Sequence, residues 1–202
     1  MNLFKNKYRI LSSRHPNHDY NAGVYFITIC THHQKRYFGE VIGDDICLTD
    51  IGKYTQKAIQ KIGELHPDVE VWASVIMPNH VHLVLSVEVS EVVETSYYGV
   101  YNGTISDNET PQCDVSTMMS DTANKCGRLS YLISAFKSSV TRYARQRRIL
   151  FAWQTRFHDR IIRNSHEYDM IYNYVLSNVA NWHNDCFYAD DSETPQCDSL
   201  YK

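Results

Sequence analysis

The chain contains no apolar run approaching the ~20 residues needed to span a bilayer. Its first ten residues, Met1 to Ile10, hold no apolar h-region of a secretory signal. A membrane or secreted protein is therefore not expected, and a cytoplasmic one is. The six cysteines (Cys30, Cys47, Cys113, Cys126, Cys186, Cys197) include no C-x-x-C pair, so no metal knuckle is encoded. At 202 residues the chain is long enough to bury a core without disulfide staples, and reduced thiols are expected. Net positive charge is also missing: the formal total is −3, on its face a mark against a nucleic-acid partner. What is present is ordinary for a globular protein, 43% hydrophobic and 21% charged, and fits one domain over 1–202.

The charge is not evenly spread. Residues 126–163 carry nine basic side chains against one acidic, a local +8, whereas 86–125 total −6 and 185–202 total −4. Outside those two acidic stretches the chain sums to +7, which reverses the first impression. Both stretches contain the hexapeptide Glu-Thr-Pro-Gln-Cys-Asp, at 109–114 and 193–198, in Ser/Thr/Asn/Asp-rich surroundings without hydrophobic period. They read as an acidic low-complexity insertion (86–125) and a flexible acidic tail (185–202), both outside the core.

The remainder has clear periodicity. Val24 to Thr31 is β-branched and aromatic and predicts a strand. Val41 to Leu48 predicts a short hairpin turning on Gly43-Asp44-Asp45. From Ile51, apolar residues recur at helical spacing through Tyr54, Ala58, Ile62 and Leu65, with Asp50 as the N-cap. Val69 to Met77 and Val81 to Val87 predict two further strands, split by Pro78-Asn79. Leu129, Leu132, Ile133, Phe136, Val140 and Tyr143 predict a second helix. A third begins near Asn164 or Ser165, with Glu167 in capping-box position, and extends through Tyr174 and Asn178 to Trp182. This order predicts an α+β, ferredoxin-like antiparallel sheet with helices on one face.

Three constellations carry chemistry. In Met77-Pro78-Asn79-His80-Val81-His82-Leu83-Val84-Leu85, strand alternation puts Val81, Leu83, Leu85 and Val87 on the core face and His80 and His82 together on the other. Two imidazoles side by side on a rigid strand suit a divalent metal; they equally suit the solvated face of a half-covered sheet. On the last helix, Tyr174 and Asn178 lie four residues apart on one face. They read either as a core-edge tyrosine with a polar neighbour, or as a nucleophile with a third metal ligand. Finally, Arg142 to Arg163 interleaves arginine with Trp153 and Phe157, as in a phosphate-neutralising, base-stacking surface or a solvated helix followed by a loop.

Taken together, MPNHVHLVL, WQTRFHDRIIR and YVLSNVANW, in that order, resemble the REP-associated tyrosine transposases, which belong to the single-tyrosine HUH transposases of insertion sequences. The resemblance covers residues 22–85 and 126–184. It implies a ferredoxin-like domain that cleaves and joins single-stranded DNA through a covalent 5′-phosphotyrosine, with Mg²⁺ or Mn²⁺ as cofactor. Matched residue by residue, it implies His80 and His82 as the metal pair, Tyr174 as the nucleophile and Asn178 as the third ligand. Tyr168 and Tyr172 are nearby alternatives, but the residues four positions on are Tyr172 and Leu176, not polar ligands. Arg156, Arg160 and Arg163 are candidates for holding the DNA backbone, with Lys137 and Arg142 beside them. The implied partner is single-stranded DNA with a hairpin or palindromic repeat, with nucleoid association when bound and a homodimer possible. One departure stands out: the family's Asn-Pro is Asn178-Val179 here, so the helix is expected to continue. A small-substrate metallohydrolase would need further ligands of the H-x-H-x-D-H kind, and Leu83, Val84 and Leu85 follow His82 instead.

Overall fold

A computed structural model describes residues 20–88 and 127–188; most of the acidic insertion and of the tail lies outside the described residues. The order of elements is β1 (Gly23–Cys30), β2 (Gly39–Ile42), β3 (Asp45–Leu48), α1 (Asp50–Leu65), β4 (Val69–Ile76), β5 (His80–Val87), α2 (Arg128–Gln146), β6 (His158–Ile162) and α3 (Ser165–Ser177). β2 and β3 form the expected hairpin, turning through Gly43 at a φ of +64°, a left-handed conformation that costs glycine little.

The main sheet is antiparallel, in the order β4-β5-β1-β6. β1-α1-β4 and β5-α2-β6 are two interlocked split βαβ units, each holding a strand of the other between its own two. The α+β antiparallel class is thus as expected. β6 was not legible in the sequence: His-Asp-Arg-Ile-Ile carries three polar residues in five, and the strand lies at a sheet edge where burial imposes little pattern.

One face of the sheet carries Tyr25, Ile27 and Ile29 of β1 and Val81, Leu83, Leu85 and Val87 of β5. Ile51, Ile59 and Ile62 of α1 and Leu129, Leu132, Ile133, Phe136 and Val140 of α2 pack against it. Each such side chain, fully buried, stabilises the fold by about 1.5–3 kcal/mol relative to exposure. The expectation of helices on one face holds for α1 and α2. α3 adds a layer on the other face, where Ile171 and Val175 pack on Phe26, Val84 and Ile162. Phe26 and Val84 are apolar on what would otherwise be the solvated side, which is the physical reason that side is covered.

Three boundaries differ from the sequence reading. Thr49, not Asp50, caps α1: its Oγ1 accepts from the Gly52 amide at 3.2 Å while Asp50 is already helical. α3 starts where expected, capped by Asn164, whose Oδ1 accepts from the Glu167 amide at 2.8 Å. It ends at Ser177 rather than running to Trp182, because Asn178 and Trp182 bond three residues back and tighten the chain into turns. Ser86 and Val87 belong to β5 rather than to the insertion. Residues 185–188 are likewise not a free tail: Phe187 is buried with Trp182, Met77 and Cys30. Cys30 and Cys47 are free thiols, but Cys186 is disulfide-bonded, contrary to the expectation of reduced cysteines throughout.

A candidate metal centre beside a tyrosine

β5 is an inner strand, so its backbone is pinned on both sides, opposite Cys30 and Thr28 of β1 at positions 80 and 82. Its alternation turns both histidines away from the α1/α2 core, as expected, but not into solvent. Both are fully buried. Phe26 stacks on His82 at 5.0 Å and Phe187 lies 4.6 Å from His80, ring centre to ring centre. Burial pushes the His82 pKa down to about 3 and that of His80 well below its ordinary value, the neighbouring His82 adding to the effect on His80. Both imidazoles are therefore neutral, the form that ligates metal. Their Nε2 atoms face each other at 3.0 Å. The outer nitrogens are tied down, His82 Nδ1 with Thr28 Oγ1 and His80 Nδ1 with Asn79 Oδ1, each at 2.8 Å.

α3 brings Tyr174 to this pair. Its hydroxyl lies 3.3 Å from His82 Nε2 and its ring meets the edge of Phe26, 6.1 Å between centres. Tyr168 and Tyr172 stack on one another, and Tyr168 meets Trp72 of β4. One turn beyond Tyr174, Asn178 caps the end of α3 and is buried; its Oδ1 has no hydrogen-bond partner among the described residues.

The sequence reading missed Asp185. Its Oδ2 lies 3.8 Å from His80 Nε2, and ligand atoms of His80, His82 and Asp185 fall within 4.8 Å of one another. Oδ1 accepts from the Phe187 amide at 2.8 Å, while Oδ2 is buried without a hydrogen-bond partner. Burial raises the Asp185 pKa, and the bonds from the Phe187 amide and the Asn178 side chain only partly offset this. The available signal was apolar Cys186-Phe187-Tyr188 directly after it, unlike the Ser/Thr/Pro context of the rest of that tail. Two neutral imidazoles and two buried oxygens without donors are a ligand set that fits a metal cation.

The basic candidates are divided. Arg160 of β6 sits opposite Phe26, on the histidine face, and pairs with Glu167 at 3.4 Å. Arg156 and Arg163 are exposed at the two ends of β6. Lys137 and Arg142 belong to α2, which covers the opposite face, and line a groove of about 500 Å³ with Arg145, Thr155 and Phe157. Lys137 is half-buried and engaged, donating to the carbonyls of Gln154 (2.6 Å) and Thr155 (3.3 Å). Trp153 and Phe157 pack against the main core.

No protein-family model matches the chain. Among solved structures, it is similar to a REP-associated tyrosine transposase bound to a REP hairpin, with 17% identity and a TM-score of 0.47, over 83% of this chain and 72% of that one. It is also similar to a proposed transposase from Deinococcus radiodurans, with 12% identity and a TM-score of 0.34, over 81% and 95% of the two chains. In sequence it is 30% identical, over 90% of its own length and 93% of the other's, to an uncharacterized protein of Haemophilus influenzae. That identity over nearly the whole of both chains makes them members of one family, to which this chain belongs.

Proposed function

We propose that the protein is a metal-dependent single-stranded DNA endonuclease and strand transferase of the HUH transposase kind, cleaving hairpin-bearing DNA through a covalent 5′-phosphotyrosine. The observation that carries this reading is the Tyr174 hydroxyl 3.3 Å from His82 Nε2, at the edge of a buried cluster of neutral imidazole and oxygen donors. A nucleophile adjoining a metal site is what phosphoryl transfer requires. Two of the three motifs that resemble the REP-associated transposases, MPNHVHLVL and YVLSNVANW, contain His80, His82, Tyr174 and Asn178.

In this reading His80, His82 and Asp185, with Asn178 beside them, hold the cation. Bound there, it polarises the scissile phosphate and stabilises charge on the leaving 3′-oxygen. Tyr174 attacks phosphorus: a bond forms between its phenolic oxygen and phosphorus and the bond to the 3′-oxygen breaks. The phenol loses its proton and the 3′-oxygen gains one. The phosphotyrosine conserves the bond energy, so a 3′-hydroxyl can reverse the step and join a different strand. Phe26 and Phe187 shield the pocket, strengthening the electrostatics inside it. Arg156, Arg160 and Arg163 flank the histidine face along β6 and neutralise the DNA backbone. Such a protein works in the cytoplasm, on the nucleoid.

A 3′-labelled hairpin oligonucleotide, whose label stays on the fragment held by the phosphotyrosine, is expected to yield a denaturation-resistant adduct when incubated with the protein and Mn²⁺. Tyr174→Phe abolishes it, Tyr172→Phe does not, and excess chelator prevents it. Tight hairpin binding with no adduct under any divalent metal sinks the enzymatic reading and leaves a DNA-binding module.

A further inference from the structure

Asn79 is buried in the turn between β4 and β5, and its carbonyl and both polar atoms of its side chain are hydrogen-bonded. Its backbone carbonyl accepts from both the amide and the hydroxyl of Thr31, each at 2.9 Å. Its side-chain Nδ2 donates to the backbone carbonyl of Phe187 at 2.8 Å. A carbonyl accepts only, so this contact fixes which end of the amide is which and leaves Oδ1 toward His80 Nδ1, at 2.8 Å. Oδ1 also accepts only. His80 must therefore carry its proton on Nδ1, and its Nε2 lone pair then points at His82 Nε2 and Asp185 Oδ2. Flipping the amide would set oxygen against oxygen at Phe187; moving the proton to Nε2 would set lone pair against lone pair at Asn79.

We infer that Asn79 is a positioning residue: held by the Phe187 carbonyl, it locks His80 in the Nδ1–H tautomer and so keeps Nε2 a ligand atom. One segment after α3 thus contributes twice to the site, with the Asp185 carboxylate directly and with the Phe187 carbonyl through Asn79 and His80. The tautomer follows from hydrogen bonds alone; its consequence for metal rests on the function proposed above. Hydrogen-bonded partners of ligating histidines orient them and raise their basicity, and losing one costs about 10–100-fold in metal affinity.

The test uses the full chain labelled with ¹⁵N-histidine, free of metal, with His80 assigned through His80→Gln. Long-range proton–nitrogen spectra are expected to show a protonated Nδ1 and a lone-pair Nε2. Asn79→Leu, close in volume but without either bond, is expected to lose that preference and to bind Mn²⁺ about 10–100-fold more weakly. Asn79→Asp still presents an acceptor to His80 but loses the bond to Phe187, so it is expected to keep the tautomer and recover only part of the affinity. A wild-type His80 protonated on Nε2 overturns the inference without any variant, should Asn79→Leu fail to fold. So does Asn79→Leu that retains both tautomer and affinity. If the tautomer is as expected in the wild type but Mn²⁺ is not bound, the metal reading fails while the lock stands.

Discussion

His80 and His82 differ from surface histidines in what surrounds them, not in type. Full burial removes the water that would stabilise imidazolium, which holds both pKa values well below the ordinary histidine range. Asp185 is pushed the other way by the same burial, its pKa raised. A carboxyl held so is poorly stabilised until a cation arrives, and the Oδ2 without a hydrogen-bond partner is where one fits. Asp185→Asn keeps the shape and removes the charge. It is expected to weaken Mn²⁺ binding at least about tenfold, or ~1.4 kcal/mol. Titration calorimetry checks this, and unchanged affinity removes Asp185 from the ligand set.

At the scale of elements, the histidine strand could be read because side chains on a strand alternate strictly between its two faces: Val81, Leu83, Leu85 and Val87 on the core face left positions 80 and 82 only the other side. Tyr174 and Asn178 were readable as a pair through helical spacing, but not the layer their helix joins. The end of α3 was misread because sequence pattern alone extended the apolar stripe to Trp182, which is buried from a separate turn. Close approach is equally hidden. Gly52 in the first turns of α1 lies so near Phe38 that an added Cβ would meet the Phe38 backbone carbonyl. Backbone cannot swing aside as a side chain does, so Gly52→Ala is expected to destabilise by about 1–3 kcal/mol in spite of alanine's better helix propensity. Urea unfolding measures it; a neutral or stabilising result means the hairpin and α1 are not packed this closely.

For the whole molecule, two contacts between distant segments can be tested. Residues 185–188 close over the histidine face, and Phe187 is 4% exposed. Phe187→Ala is expected to cost about 3–5 kcal/mol by denaturant titration, whereas a side chain in a free tail would cost nothing measurable. Across the other end of the sheet, Arg128 at the start of α2 forks onto Asp68 before β4, both bonds at 2.6 Å. Burial alone would raise the Asp68 pKa, but the Arg128 bonds and charge outweigh it and the net shift is downward. Folded pKa below unfolded means the stabilisation is fully present above the unfolded value of about 3.9 and is lost as pH falls through the lower folded one. Asp68→Asn is therefore expected to cost about 1.5 kcal/mol at pH 7, and the difference from wild type to vanish below that window. A difference that persists at low pH assigns it to packing instead.

Periodicity along the chain, a local property, carried the antiparallel class, the two histidines on one face, the tyrosine and asparagine one turn apart and the basic segment. These follow from the geometry of a strand and a helix, which each residue obeys whatever lies across from it. Long-range contact settled the rest: that α3 covers the histidine face, and that Asp185 and Phe187 come back to it from a stretch that reads as tail. Burial is decided by neighbours distant in sequence. The neutral histidines, the raised Asp185 and the buried oxygens without donors are consequences of burial, and no spacing in the chain encodes them.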